Sequence, residues 1–147
     1  MENMETIIQK DLHSVSTKWT GKMHFESLVN DHIIHMDKLQ QHGGDNTGPR
    51  PKPLMLSAVA GCIGMEIAGI MEKMRLKIET LEIDVTGELT NDHPKMYKEV
   101  HITFKIKSAA SDKEKIDRAI HLAVDKYCGV VAMFRQFANV TTEVIFL

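Results

Sequence analysis

Two periodicities alternate along this chain. From Val15 the text "VSTKWTGKMHFESLVNDHIIHMD" shows patchy apolar and polar alternation, with "NDH" from Asn30 as a turn signal between extended runs. The pattern predicts strand, turn, strand, with a further short extended piece before them. "QQHGGDNTGPRPKP" from Gln40 is dense in Gly, Pro, Asn and Asp, so it reads as a loop that stiffens towards a helix.

The period then changes to that of a helix, predicted from about Leu54 to Arg75. Leu56, Val59, Ile63, Ile67, Ile70 and Met74 recur as a bulky stripe, while Ala58, Cys62, Glu66 and Gly69 run along another side. A helix apolar on both sides packs on both. Gly61, Gly64 and Gly69 each cost about 1 kcal/mol against alanine inside a helix, so close approach by a second buried helix is the expected compensation. Two alternating strands follow: "LEIDVTGEL" from Leu81 and "VHITFKIK" from Val100, joined by the turn residues of "TNDHPK". Ser111 and Glu114 predict a capping box opening a second helix, with Ile116, Ala119, Ile120, Ala123 and Val124 on its buried face. That helix should run to Tyr127 and Cys128, where Gly129 interrupts it, and "NVTTEVIFL" closes the chain as a strand. The order is that of an α+β fold with mainly antiparallel sheet. Its long two-faced helix needs more covering surface than two short sheets supply, which points to an intertwined dimer.

Composition narrows the class. The 147 residues suit one domain, 1–147, and the 43% apolar and 26% charged content is that of a folded soluble protein. A net charge of −2 with no basic run argues against a nucleic-acid partner. The stretch from Leu54 to Met71 is apolar enough to raise a membrane span. Glu66 within it, charges after it and amphipathic strands on both sides argue for a buried helix instead. The N-terminus "MENMETIIQKDLHS" lacks the features of a secretory signal, so a cytoplasmic location is expected.

Candidate chemistry rests on few residues. Two cysteines in a reducing compartment are packing residues or redox groups rather than a structural disulfide. Glu66, four residues after Cys62, shares its helical face; a carboxylate there disfavours a thiolate, so a reactive Cys62 needs a basic neighbour. His121 lies on the same predicted face as Cys128, as a basic neighbour or simply a covered polar residue. Among the eight histidines, His32 and His35 point to opposite faces of a strand, and neither HExxH nor paired CxxC occurs, so no metal is expected. "HGGD" at His42 has neither P-loop nor dinucleotide-binding spacing, and no cofactor is expected.

"KPLMLSAVAGCIGMEIAGIMEKMRLKIETLEIDVTGE" followed by "DKYCGVV", with "KWTGKMHF" and "HIIHMD" upstream, resembles the osmotically inducible protein C and organic hydroperoxide resistance (OsmC/Ohr) superfamily. The resemblance covers nearly the whole chain. It implies an intertwined homodimer with two central helices wrapped by sheets that both chains build. It also implies a thiol peroxidase site, with Cys62 as the peroxidatic and Cys128 as the resolving cysteine, organic hydroperoxides as substrates and an external dithiol as reductant. The hydroperoxide-reductase branch places a glutamate shortly before the peroxidatic cysteine, where this chain reads Lys52 and Pro53, and an arginine in the N-terminal strands, where Lys22 lies nearest. Glu66 and Lys22 are therefore the candidate replacements. The alternative is a non-catalytic dimer that binds a small apolar ligand at the subunit interface, with Cys62 as packing.

Overall fold

The computed structural model describes residues 12–147. The chain divides into two compact units, Met1–Leu54 and Met55–Leu147. The first unit holds an antiparallel sheet in the order β1 (Ser16–Gly21), β2 (His24–Val29), β3 (His32–Met36). Asn30 and Asp31 both have positive φ, 47° and 64°, which is what a two-residue hairpin turn matching strand twist requires. Thus "NDH" is the turn, and the extended piece expected ahead of it is β1. Register places Trp19 opposite Phe25, and Glu26 opposite Lys18 on one side and His35 on the other.

Asp37, after β3, organises the loop that follows. It is 3% exposed and accepts hydrogen bonds from the backbone N–H of Lys38 (2.7 Å), Asp45 (3.2 Å) and Thr47 (3.1 Å), and from the Thr47 hydroxyl (2.7 Å). The Thr47 hydroxyl, then its N–H, outweigh the cost of burial and hold the Asp37 carboxyl down at about 2. A Cβ on Gly44 would lie 2.0 Å from the Lys38 carbonyl oxygen, so glycine is required there.

Helix α1 (Pro51–Lys73) leads into the second unit. It begins three residues earlier than its apolar stripe, because proline is tolerated in a first turn whose N–H groups lack intrahelical partners. It ends with Arg75 in the left-handed conformation and the Leu76 N–H bonded to the Met71 carbonyl at 2.9 Å. The buried positions are Val59, Ile63, Ile67 and Met71, a strict i+4 row; Met74, expected on the stripe, lies past the helix end and is 37% exposed.

The second sheet has the order β4 (Ile78–Leu89), β5 (Tyr97–Ser108), β6 (Asn139–Phe146), antiparallel between β4 and β5 and parallel between β5 and β6. Val100, Ile102, Phe104 and Ile106 of β5 are at most 1% exposed and form a core with the α1 row and with Ile116, Ala119 and Ile120 of α2 (Lys113–Leu122). Lys105 and Lys107, of opposite facing to neighbouring core positions or at the strand end, pair across the ladder with Asp84 (2.6 Å) and Glu79 (2.9 Å). One face of the sheet is apolar and the other charged.

Three expectations fail here. No capping box forms: residues Ala110–Asp112 make a single 3-10 turn and the residue before α2, Asp112, gives no side-chain cap. The second helix does not run on regularly to Cys128. Residues Ala123–Tyr127 wind as a π-helix, Cys128 is extended (φ −75°, ψ 100°), and Gly129 opens rather than interrupts a further helix, α3 (Gly129–Phe134). The helical glycines do not meet a second helix backbone: a Cβ on Gly64 would touch Ile83 of the sheet at 3.3 Å, and one on Gly61 or Gly69 would meet nothing within 4 Å.

Candidate two-cysteine site

The sequence separates the two thiols widely, and the second unit brings them together. Cys62 sits on α1, one residue before the buried Ile63, half-buried at the edge of the core. Cys128 reaches it from the joint between the π-helical turn and α3. The π winding is marked by the Cys128 N–H donating to the Ala123 carbonyl at 2.8 Å, five residues back. Leaving the helix there, Cys128 becomes the residue that caps α3, its Sγ accepting from the Val131 N–H at 3.5 Å.

Both cysteines are free thiols, and their side chains share a hydrogen bond. Cys128 is 3% exposed. Burial first, and then the hydrogen bond with Cys62, push the Cys128 thiol up to about 11, against the opposing pull of the Val131 and Val130 N–H groups. At neutral pH Cys128 is therefore a protonated thiol that can donate to the Cys62 sulfur.

Glu66 lies one turn further along α1, half-buried, and lines an open cleft of about 310 Å³ with Gly69, Ile70, Lys73, Met74, Leu122 and Tyr127. The cleft is mostly apolar, with one carboxylate and one ammonium at its walls. Lys22 stands apart from the thiols in the chain's first unit. It occupies the β1–β2 turn at φ 47°, and its ammonium pairs with Asp45 at 2.7 Å; that hydrogen bond raises its pKa. Its charge is already matched by Asp45. His121 is exposed and its Nδ1–H donates to the Asp117 carbonyl at 2.8 Å. The π-helical turn breaks the seven-residue spacing that placed His121 on the face of Cys128.

Sequence reasoning missed two polar sites. Asp37 could have been found from the Gly-, Asn- and Thr-rich loop that follows it, whose N–H groups need an acceptor. The second is a cross-strand cluster of His24, Glu26 and His35. A scan for ligands within one strand overlooks it, because its members meet only when β2 and β3 pair.

An α+β protein whose long apolar helix carries one thiol, met by a second thiol from the end of the following helical segment, belongs to a recognisable class of small two-cysteine proteins. The model of the OsmC-like protein family matches residues 43–143, and the chain belongs to that family. Protein YhfA of Escherichia coli K12 is 28% identical over 125 residues, covering 84% of this chain and 90% of that protein. Among solved structures, a hypothetical protein from Aquifex aeolicus superimposes with a TM-score of 0.80 (22% identity, 93% of this chain and 97% of that one). An organic hydroperoxide resistance protein OsmC from Legionella pneumophila does so with a TM-score of 0.65 (15% identity, 91% and 98%). At these identities the superpositions establish the fold.

Proposed function

We propose that this chain is a thiol-dependent peroxidase of organic hydroperoxides, and the observation that carries the proposal is the hydrogen bond between the Cys62 and Cys128 side chains. In the cycle, the Cys62 thiolate attacks the outer peroxide oxygen. The O–O bond breaks, the alkoxide leaves and takes a proton as the alcohol, and Cys62 becomes a sulfenic acid. The Cys128 sulfur then attacks the Cys62 sulfur, water leaves, and a Cys62–Cys128 disulfide forms. An external dithiol reduces it by two exchange steps.

The division of labour follows from environment. Cys62 is the more accessible sulfur and sits one turn from an apolar cleft suited to the organic part of a substrate. Cys128 is buried and protonated, a group that waits for the sulfenic acid rather than competing for peroxide. Glu66 marks the polar edge of the cleft. Lys22, neutralised by Asp45, has no part in this cycle.

The working unit in this proposal is the whole chain as one domain in a homodimer, in the reducing cytoplasm. Met65 (78% exposed), Met133 (64%), Tyr127 and Phe137 leave apolar surface uncovered on the second unit, and a second copy would cover it. By length and composition α1 could also cross a membrane; its Val59–Met71 row instead packs into the protein core.

A brief stoichiometric pulse of an organic hydroperoxide on the reduced protein, read by mass spectrometry with peptide mapping, tests the proposal. A rapid Cys62–Cys128 disulfide is expected, with Cys62→Ser abolishing turnover and Cys128→Ser stopping at an over-oxidisable sulfenic acid. Two unchanged thiols would defeat it. The cleft beside Glu66 then favours the second reading, a dimeric carrier of a small apolar ligand.

A further inference from the structure

The three-stranded sheet of the first unit carries a cluster unrelated to the thiols. Side chains of His24 and Glu26 project from one face of β2 because they are two residues apart, and the register sets His35 of β3 directly opposite Glu26. The His24 Nε2 and the His35 Nδ1 lie 3.2 Å apart, and the same His35 nitrogen is 3.8 Å from the Glu26 Oε1. One ligand atom from each residue falls within 4.8 Å of the other two. The imidazoles stack with centroids 5.2 Å apart and an interplanar angle of 21°.

These separations match the edges of a metal coordination sphere. With metal–nitrogen bonds of about 2.0–2.1 Å, two ligands of a tetrahedral ion stand about 3.3–3.4 Å apart. The outer side of the cluster is ordered as well. His24 Nδ1 is hydrogen-bonded to the Thr20 hydroxyl. With its proton on that nitrogen, the ring turns the Nε2 lone pair inwards, as a partner behind a ligating histidine does. Lys18 contacts the other Glu26 oxygen at 3.4 Å from a 74% exposed side chain, a weak competitor. His24 and His35 also line an open cleft of about 500 Å³ with Thr20, Gly21, Lys22, Asp45 and Thr47, which leaves room for a non-protein ligand.

We propose that His24, Glu26 and His35 form a binding site for one divalent transition-metal ion of the zinc type, with a remaining coordination position open to that cleft. Two imidazoles and a carboxylate suit zinc and its neighbours, whereas calcium and magnesium prefer all-oxygen sets. The site is independent of the peroxidase proposal, since it uses neither cysteine.

The test is titration of the chelator-treated, full-length protein with Zn²⁺ by calorimetry and with Co²⁺ by visible absorption. One ion per chain is expected. His24→Ala, His35→Ala and Glu26→Gln should each weaken binding by about tenfold or more. His32→Ala, on the opposite face of β3, should leave it unchanged. Thiols also bind zinc, so the Cys62→Ser/Cys128→Ser double variant must retain the site. Loss of binding in that variant, or wild-type affinity in any of the three ligand variants, overturns the proposal. A readout free of variant folding is substoichiometric Cu²⁺ on the wild-type protein. Its paramagnetic broadening should strike the ring resonances of His24 and His35 first, and broadening that begins at other histidines overturns the site.

Discussion

The protonation of Cys128 makes a quantitative prediction about its chemistry. A thiol at about 11, compared with an ordinary 9.0, is a shift of about two units. At neutral pH this leaves roughly one molecule in 10⁴ as thiolate instead of about one in 10². The more basic thiolate is also the better nucleophile, with a Brønsted slope of about 0.4–0.5, which returns roughly a factor of ten. The net result is about tenfold slower attack, before burial restricts access further. Iodoacetamide labelling of the reduced protein, followed by peptide mass spectrometry between pH 6 and 11.5, reads this for each thiol. The Cys128 rate should climb about tenfold per pH unit well past pH 9 and level off only near 11. Restricted access alone would lower the whole curve without moving its break, so the break is the diagnostic. In Cys62→Ser the break should move down only part of the way, because burial, the larger cause, is still there. A wild-type Cys128 curve that levels off at or below pH 9 would refute the assignment.

Two further outcomes concern the scaffold. Ile63→Ala removes a fully buried side chain beside Cys62 and should cost about 2–5 kcal/mol of unfolding free energy in urea denaturation; a change under about 1 kcal/mol would mean the site can collapse around the loss. The Asp37 carboxyl is held at about 2 against an ordinary 3.8. Its folded pKa is depressed, so its contribution is present above about pH 4 and lost as pH falls through about 2. Asp37→Asn should therefore unfold more readily at pH 7 and show a shallower acid limb in pH-dependent denaturation, and an unchanged limb would count against the four-bond role.

Elements dominated by side-chain periodicity were legible in the sequence. Ile116, Ala119, Ile120, Ala123 and Val124, one face of a helix on paper, are all buried, and the alternation of β5 matches its burial residue by residue. What was hidden depends on the backbone or on pairing between distant segments. Ser111 and Glu114 have the spacing of a capping box, but the 3-10 turn places the helix start at Lys113, beyond reach of that arrangement. Nothing in "AVDKYC" distinguishes a π winding from an α winding, because the same side chains suit both. The parallel pairing of β6 is likewise a matter of where the chain returns, which an isolated strand pattern does not record. For the candidate site, the sequence identified both cysteines but could not place one sulfur beside the other. It attached Lys22 to a role that its pairing with Asp45 does not support.

The π-helical turn ahead of Cys128 also bears on what kinds of change this family member can absorb. Such a turn holds one more residue than the α-helical turn it replaces, so shortening Ala123–Tyr127 by one would restore a regular helix. Everything after the deletion would then rotate by about 100° about the helix axis and withdraw by about 1.5 Å. Cys128 would keep its neighbours in sequence and lose its neighbour in space. The meeting of the two sulfurs is thus encoded by the number of residues between them more than by their identity: substitutions along 123–127 preserve it, while a single lost codon abolishes it.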